Sequence, residues 1–133
     1  MKSFPLKIVT PDGLVFSGEA ESLTVRTTTG DLGVLAGHTD LVAPLGMGRA
    51  VVVSGENRRT AACIGGMMTV MNGEVRLVAT TFEWSDEIDL KRVEQAELRA
   101  QQILENKDSS DLEIKLAEAK LHRALVRKNV ARS

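Results

Sequence analysis

The sequence has 133 residues, with 17 Lys and Arg against 18 Asp and Glu, so no global basic field exists to hold DNA or an anionic membrane. Aromatic residues make up only 3% and Tyr is absent, which leaves an aliphatic core and no stacking surface for single-stranded nucleic acid. The single Cys63 excludes an intrachain disulfide framework and a multi-Cys zinc site, and no apolar run approaches the ~20 residues of a membrane helix. Met1-Lys2-Ser3-Phe4-Pro5 has neither the apolar stretch of a signal peptide nor an Arg-rich transit pattern, so a soluble protein in a reducing compartment is expected.

All 11 Gly and all 3 Pro precede Glu74. Gly and Pro punctuate strands and turns, and their absence permits long helices. The chain therefore reads as a β-rich domain over 1–84 followed by a helical domain over 85–133. Strands first and helices afterwards argue against an alternating parallel βαβ sheet.

Phe4 to Val9 is the first expected strand, closed by Pro11-Asp12-Gly13. Leu14 to Phe16 and Ala20 to Thr27 follow, the latter alternating Leu23 and Val25 with Thr24 and Arg26. The span Gly30-Asp31-Leu32-Gly33-Val34-Leu35-Ala36-Gly37-His38 carries three Gly and reads as a surface excursion rather than a strand, with Asp31 exposed near its tip. Val51 to Val53, Thr60 to Ile64 and Met67 to Met71 are further strands. Gly65-Gly66 between the last two reads as a bulge or a close backbone approach, not a phosphate loop. Asn72-Gly73 accepts the positive φ angles of a type I′ turn, so Met67–Met71 and Glu74–Ala79 form a hairpin. Short strands at this spacing suggest an antiparallel sandwich or barrel.

Ser85 is placed to cap a first helix, with Asp86 and Glu87 in its first turn. Val93, Ala96, Ala100 and Ile103 form its apolar stripe. Asn106-Lys107-Asp108-Ser109 breaks the pattern, and Ser110-Asp111-Leu112-Glu113 is a capping box that starts a second helix with its own stripe of Ile114, Ala117, Leu121 and Ala124. So short a connection makes the helices antiparallel neighbours. From Glu83 to Glu113 there are ten acids and four bases; from Ile114 to Ser133 there are six bases and one acid. Opposite charge favours the folded hairpin and leaves a basic helix available to another acidic partner. Ala-rich stripes bury little area at ~25 cal/mol per Å², so the pair is expected to be held weakly.

Catalytic constellations are thin. His38 and His122 stand far apart in sequence, and Cys63 sits in the apolar run Ala61-Ala62-Cys63-Ile64 as a small buried hydrophobe. Of Met67, Met68 and Met71, strand alternation turns at least one inward, and core packing is favoured over an exposed Met patch. Arg92 and Arg99 share a helix face, as do Arg123 and Arg127 on the second helix. In a closed hairpin these four guanidiniums could converge with Asp89 on an anion, since their forks match phosphate geometry; a solvated face with intrahelical ion pairs is the plainer alternative.

In their order along a chain of this length, these segments closely resemble the epsilon subunit of bacterial and chloroplast rotary (F-type) ATP synthase. The matching pieces are Gly30-Asp31-Leu32-Gly33-Val34…Gly37-His38 with Ala36 where Pro is usual, Leu41-Val42-Ala43-Pro44-Leu45, Ile64-Gly65-Gly66 with Val70, Asn72-Gly73-Glu74-Val75, and Ile88-Asp89-Leu90-Lys91-Arg92. The resemblance implies a ten-stranded antiparallel β-sandwich and a C-terminal antiparallel two-helix hairpin. It implies a non-catalytic central-stalk subunit whose sandwich contacts the gamma subunit and the c-ring, with Asp31 facing the ring and His38 near gamma. The helices of such a subunit extend into the alpha/beta catalytic head and inhibit hydrolysis. The location implied is the cytoplasmic side of the cell membrane, peripherally, with no insertion and no nucleic acid partner.

No cofactor or metal is required, but the family's Ile/Leu-Asp-x-x-Arg-Ala motif implies ATP as a regulatory ligand. Here it reads Ile88-Asp89-Leu90-Lys91-Arg92-Val93, with Glu83, Arg99, Arg123 and Arg127 at other family ligand positions. Val93 replaces the final Ala, and Leu116 stands where a further Arg is usual. Two other classes stay open on the residues themselves. One is a free-standing nucleotide-binding module built on the Arg cluster, which a monomeric native mass would favour. The other is a small enzyme using His38, which turnover by the pure chain would reveal.

Overall fold

The computed structural model describes residues 2–132. The chain divides into two compact units, Met1–Trp84 and Ser85–Ser133.

Eight strands build the first unit: β1 (Phe4–Thr10), β2 (Gly13–Ala20), β3 (Ser22–Thr27), β4 (Gly30–Leu35), β5 (Leu41–Pro44), β6 (Met47–Ser54), β7 (Asn57–Met71) and β8 (Glu74–Trp84). Their order is β2-β1-β8-β7-β6-β3-β4, with β5 beside β7 off that path. The pairs are antiparallel except β1 with β8, which run parallel. A parallel neighbour needs a long crossover, and the six strands between β1 and β8 supply it. Backbone and side-chain bonds from Glu21 N to Val53 O (2.7 Å) and from Ser54 Oγ to Glu19 O (2.7 Å) tie the end of β2 to the end of β6.

Alternation places the core. Phe4, Leu6 and Ile8 of β1 are buried while Pro5 and Lys7 are exposed; Leu23 and Val25 of β3 do the same against Arg26. These residues join Val34, Val52, Met68, Val70, Leu77, Phe82 and Trp84 in one aliphatic cluster with few rings.

β7 and β8 turn the corner of the sandwich. From Asn57 to Ile64 β7 pairs with β6, and from Met67 to Val70 it pairs with β5. On the first stretch Ala61 and Cys63 enter the core; on the second, Met68 and Val70 do. In β8 the core residues change likewise from Val75, Leu77 and Ala79 to Phe82 and Trp84. Both strands exchange faces together while their mutual register holds from Met71↔Glu74 to Ala61↔Trp84. Successive side chains of a strand point to opposite faces, so the exchange demands a local backbone rotation. Gly65 (φ +69°) and Gly66 (φ +116°) provide it, and at Gly66 a Cβ would lie 2.0 Å from Val78 O. The glycine pair is thus a close backbone approach.

Several expectations change here. The sandwich has eight strands rather than ten, because β7 and β8 run unbroken through the corner where shorter strands would be counted separately. Residues 30–35 are a strand, not an excursion: β4 pairs with β3 from Thr27↔Gly30 to Ser22↔Leu35. Its glycines mask the strand pattern, but Gly30 (φ +135°) only opens the hairpin, and Thr27 Oγ1 closes the turn by donating to Gly30 O at 2.7 Å. The Asn72-Gly73 turn has φ +52° and +80°, as a type I′ turn requires.

The second unit begins with a 3₁₀ turn, Ser85–Glu87, followed by α1 (Leu90–Glu105) and α2 (Asp111–Ala131). Asp89, not Ser85, caps α1, its carboxylate accepting from Arg92 N at 3.2 Å. The 3₁₀ turn takes up the residues that would have formed the first α-helical turn. Asn106 ends α1, and Ser109 Oγ donates to Ile103 O at 2.7 Å, satisfying a C-terminal carbonyl. Ser110 and Glu113 complete the capping box of α2 through bonds of 3.0 and 3.1 Å. The Ser110 backbone N–H, then its hydroxyl, hold the Glu113 carboxyl below its usual range. Cross-helix pairs Glu97–Lys128 and Glu94–Arg132 fix the hairpin as antiparallel.

Because the first unit has its own core and its own strand partners, a chain truncated after Trp84 is expected to stay soluble and unfold cooperatively. Urea denaturation followed by Trp84 fluorescence checks this; a broad, non-cooperative transition would place the boundary elsewhere.

Candidate functional site

The first unit presents an exposed apolar row. Leu14 of β2 lies opposite Val9 of β1, Val9 beside Val78 of β8, Val78 opposite Met67 of β7, and Met67 opposite Pro44 of β5. Leu14 is 62% exposed, and Val42, two residues from Pro44 on the same face of β5, is 60% exposed. Met71 extends the row along β7. Five strands at ~4.8 Å spacing give it a length of about 19 Å. Together these residues form a continuous apolar row across the sheet face. Of the three neighbouring methionines, Met68 fills the core while Met67 and Met71 face out, so packing and surface roles are divided among them.

His38 lies in the loop between β4 and β5. Its backbone N donates to Leu35 O at 3.2 Å, and its ring Nδ1 is 2.7 Å from Thr39 O. Asp40 Oδ1 accepts from Asn72 N at 3.0 Å, tying the loop to the β7–β8 turn. Asp31 stands at the other end of β4, with about 14 Å of strand between it and Leu35. It faces Arg26 directly across the β3–β4 pair, Nη1 to Oδ1 3.3 Å, and both side chains are exposed. The stem of Arg26 lies across Gly48, where a Cβ would approach Arg26 Cβ to 2.6 Å. Asp31 and His38 therefore lie toward opposite ends of β4 and do not come together in one site.

The helical unit carries Ile88, Asp89, Arg92, Arg99, Arg123 and Arg127, whereas Glu83 belongs to β8, opposite Ala62. Arg92 and Arg99 are exposed; Arg123 and Arg127 are half-buried. With Glu97 paired to Lys128, the antiparallel register puts Arg99 near the level of Arg127. At 1.5 Å rise per residue, Arg92 and Arg123 lie to either side of that level, about 16 Å apart along the axis. Along the helix axes the four arginines are thus spread over several turns rather than gathered at one level. Asp89 already serves as the α1 cap, and Val93 is buried.

Cys63 is buried in the sandwich core, and burial pushes its thiol up to about 12. A thiol protonated this firmly is a poor nucleophile. Native protein at pH 8 is expected to resist a thiol-specific reagent and to react fully once denatured; rapid labelling of the native chain would contradict the burial. The raised value also means that stability is retained below pH about 9 and is lost as the pH rises toward 12, because the unfolded thiol ionises first. Among the described residues, no group of three or more His, Cys, Asp or Glu could hold a metal ion, and no helix is long and apolar enough to cross a membrane.

Comparison with known proteins covers both units. Residues 3–85 match the family described as ATP synthase, Delta/Epsilon chain, beta-sandwich domain, and residues 86–132 match the ATP synthase, Delta/Epsilon chain, long alpha-helix domain. The ATP synthase epsilon chain of Bacillus pumilus is 39% identical over 131 residues, spanning 98% of each chain. That of Ruminococcus albus is 38% identical over 132 residues, again 98% of each. A chain in the cryo-EM structure of the Euglena gracilis mitochondrial ATP synthase, OSCP/F1/c-ring, shares the fold with a TM-score of 0.84 at 23% identity, covering 96% of this chain and 80% of that one.

Proposed function

We infer the role of this chain from kinship: it belongs to the family of ATP synthase epsilon chains. The role is that of a non-catalytic rotor subunit on the central stalk, held peripherally at the cytoplasmic side of the cell membrane by the complex. Its sandwich docks on the gamma subunit and the c-ring, so that ion flow through the ring is coupled to ATP synthesis. The apolar row from Leu14 to Val42 supplies a surface that a partner subunit covers, His38 lies near gamma, and Asp31 faces the ring.

The helices are the regulatory part. In this reading they leave the folded hairpin, extend along gamma into the alpha/beta head and inhibit ATP hydrolysis. ATP bound by Ile88, Asp89, Arg92, Arg99, Arg123 and Arg127 of the helical unit favours the folded form. The observation that carries this reading is the unbroken correspondence of both units, in order, with the family. The interior of the helical unit supports it: the buried residues are Val93, Ala100, Ala117, Ala124 and Val130, small side chains that leave closure easy to reverse.

Removing residues 85–133 from the assembled enzyme is expected to raise its ATPase rate severalfold under hydrolysing conditions. Lys120, Arg123, Arg127, Lys128 and Arg132 each contribute ~1 kcal/mol or less against acidic surfaces, so the inhibition of the intact enzyme weakens in salt. An unchanged rate refutes the inhibitory role. Failure of the tagged chain to co-purify with alpha, beta, gamma and c subunits refutes the rotor role itself.

A further inference from the structure

One ion pair inside the helical hairpin differs from the others in its surroundings. Lys128 Nζ lies 3.1 and 3.3 Å from the two carboxylate oxygens of Glu97, joining the middle of α1 to the last turns of α2. The Lys128 side chain is 25% exposed and that of Glu97 only 15%. The neighbouring Arg132–Glu94 pair is longer, 3.6 Å, and its side chains are 58% and 49% exposed.

We propose that Glu97 and Lys128 form an electrostatic latch that selects the closed hairpin. The latch deepens the regulatory reading above and rests on it only where the latch is linked to ATP hydrolysis. In the closed hairpin both charges are largely withdrawn from water, a state tolerable only because each neutralises the other at hydrogen-bond distance. In an open arrangement each is hydrated on its own. Removing one partner therefore penalises the closed form twice, through lost attraction and through a stranded charge. The outer Arg132–Glu94 pair has no such leverage, since water screens both groups whether the hairpin is open or closed.

The apolar interior does not duplicate this selectivity. Val93, Ala100, Ala117, Ala124 and Val130 are small and non-directional, and stripes of Ala allow one helix to slip against the other. The bond from Lys128 to both oxygens of one carboxylate adds a charged, directional contact that the apolar interior lacks. It also anchors the end of α2, where the chain's basic residues concentrate, so opening the latch frees the segment that carries the positive charge.

Hydrogen exchange on the full-length chain tests the latch without any partner. Lys128→Met and Glu97→Gln keep side-chain length and helix-forming character. Each is expected to speed exchange of α1 and α2 amides about tenfold or more, equivalent to ~1.4 kcal/mol, while the β-strand amides stay unchanged. The double reversal Glu97→Lys with Lys128→Glu is expected to restore protection to within about threefold, and Arg132→Met to change it by less than about threefold. Unchanged exchange in the single variants overturns the proposal. So does a reversal that exchanges as fast as the singles, or a loss of protection shared equally by the β-strands. The Glu97→Gln enzyme then separates the two readings: faster helix exchange without lower ATP hydrolysis leaves the latch standing and removes the inhibitory role.

Discussion

Gly66→Ala is expected to cost the sandwich about 2–6 kcal/mol, a large fraction of the ~5–15 kcal/mol that holds an ordinary domain. Two effects combine. A backbone φ of +116° is open to Gly and strained for any residue with a Cβ, at roughly 1–3 kcal/mol. The new Cβ would also stand 2.0 Å from Val78 O and 2.8 Å from Ala79 Cα. Both are backbone atoms of β8, so no side-chain rotation relieves the clash; β8 must shift, at a further ~1–3 kcal/mol. That shift disturbs the pairs Gly66↔Ala79 and Met67↔Val78 at the corner where both strands exchange faces. Gly33→Ala is the internal control, since nothing lies within 4 Å of a Cβ there and its φ is not positive. It is expected to stay within about 0.5 kcal/mol of the parent chain. Denaturation followed by the fluorescence of the single Trp84, buried in the same core, reads both variants. Equal midpoints for the two would show that the corner does not depend on a Cβ-free residue.

ATP titrated into the isolated chain is expected to bind with a dissociation constant of tens of micromolar or weaker, on the order of −6 kcal/mol. The hairpin register places Arg99 and Arg127 at one level with Arg92 and Arg123 on either side, an array suited to an extended polyanion. In the proposed reading, phosphates that engage arginines of both helices would favour the folded hairpin by their differential affinity. Weak binding is expected because Val93 is buried where the resemblance implies Ala, and exposed Leu116 stands where it implies a further Arg. Arg92→Ala or Arg127→Ala removes a charge-assisted contact worth roughly 1.5–3 kcal/mol and brings binding below detection. Asp89→Ala is a poorer probe, because its carboxylate also caps α1. No heat at millimolar ATP in the parent chain would show the Arg array to be a solvated face.

Elements with a local cause were readable from residues alone. The Asn72-Gly73 turn, the Ser110–Glu113 capping box and the alternation in β1 and β3 rest on chemistry within a few residues of themselves. So does the burial of Cys63, which follows from the apolar run around it. The candidate residues of the helical unit were also legible, because helix periodicity places Arg92 with Arg99 and Arg123 with Arg127.

What the sequence by itself determined is therefore the division of the chain, its turns and caps, and the type of most elements, since backbone preference and side-chain period act over short range. Tertiary structure alone decided the rest. β4 is a strand because β3 supplies its hydrogen bonds, against the conformational freedom of three nearby glycines. β7 is one strand because β8 spans both halves of it across Gly65-Gly66. Asp89 rather than Ser85 caps α1, the 3₁₀ turn having displaced the helix start by four residues. The apolar row exists only when five strands from distant parts of the sequence lie side by side, and Glu97 meets Lys128 only when α1 and α2 close on each other. Each is set by a partner remote in sequence, and no local preference encodes which partner that will be.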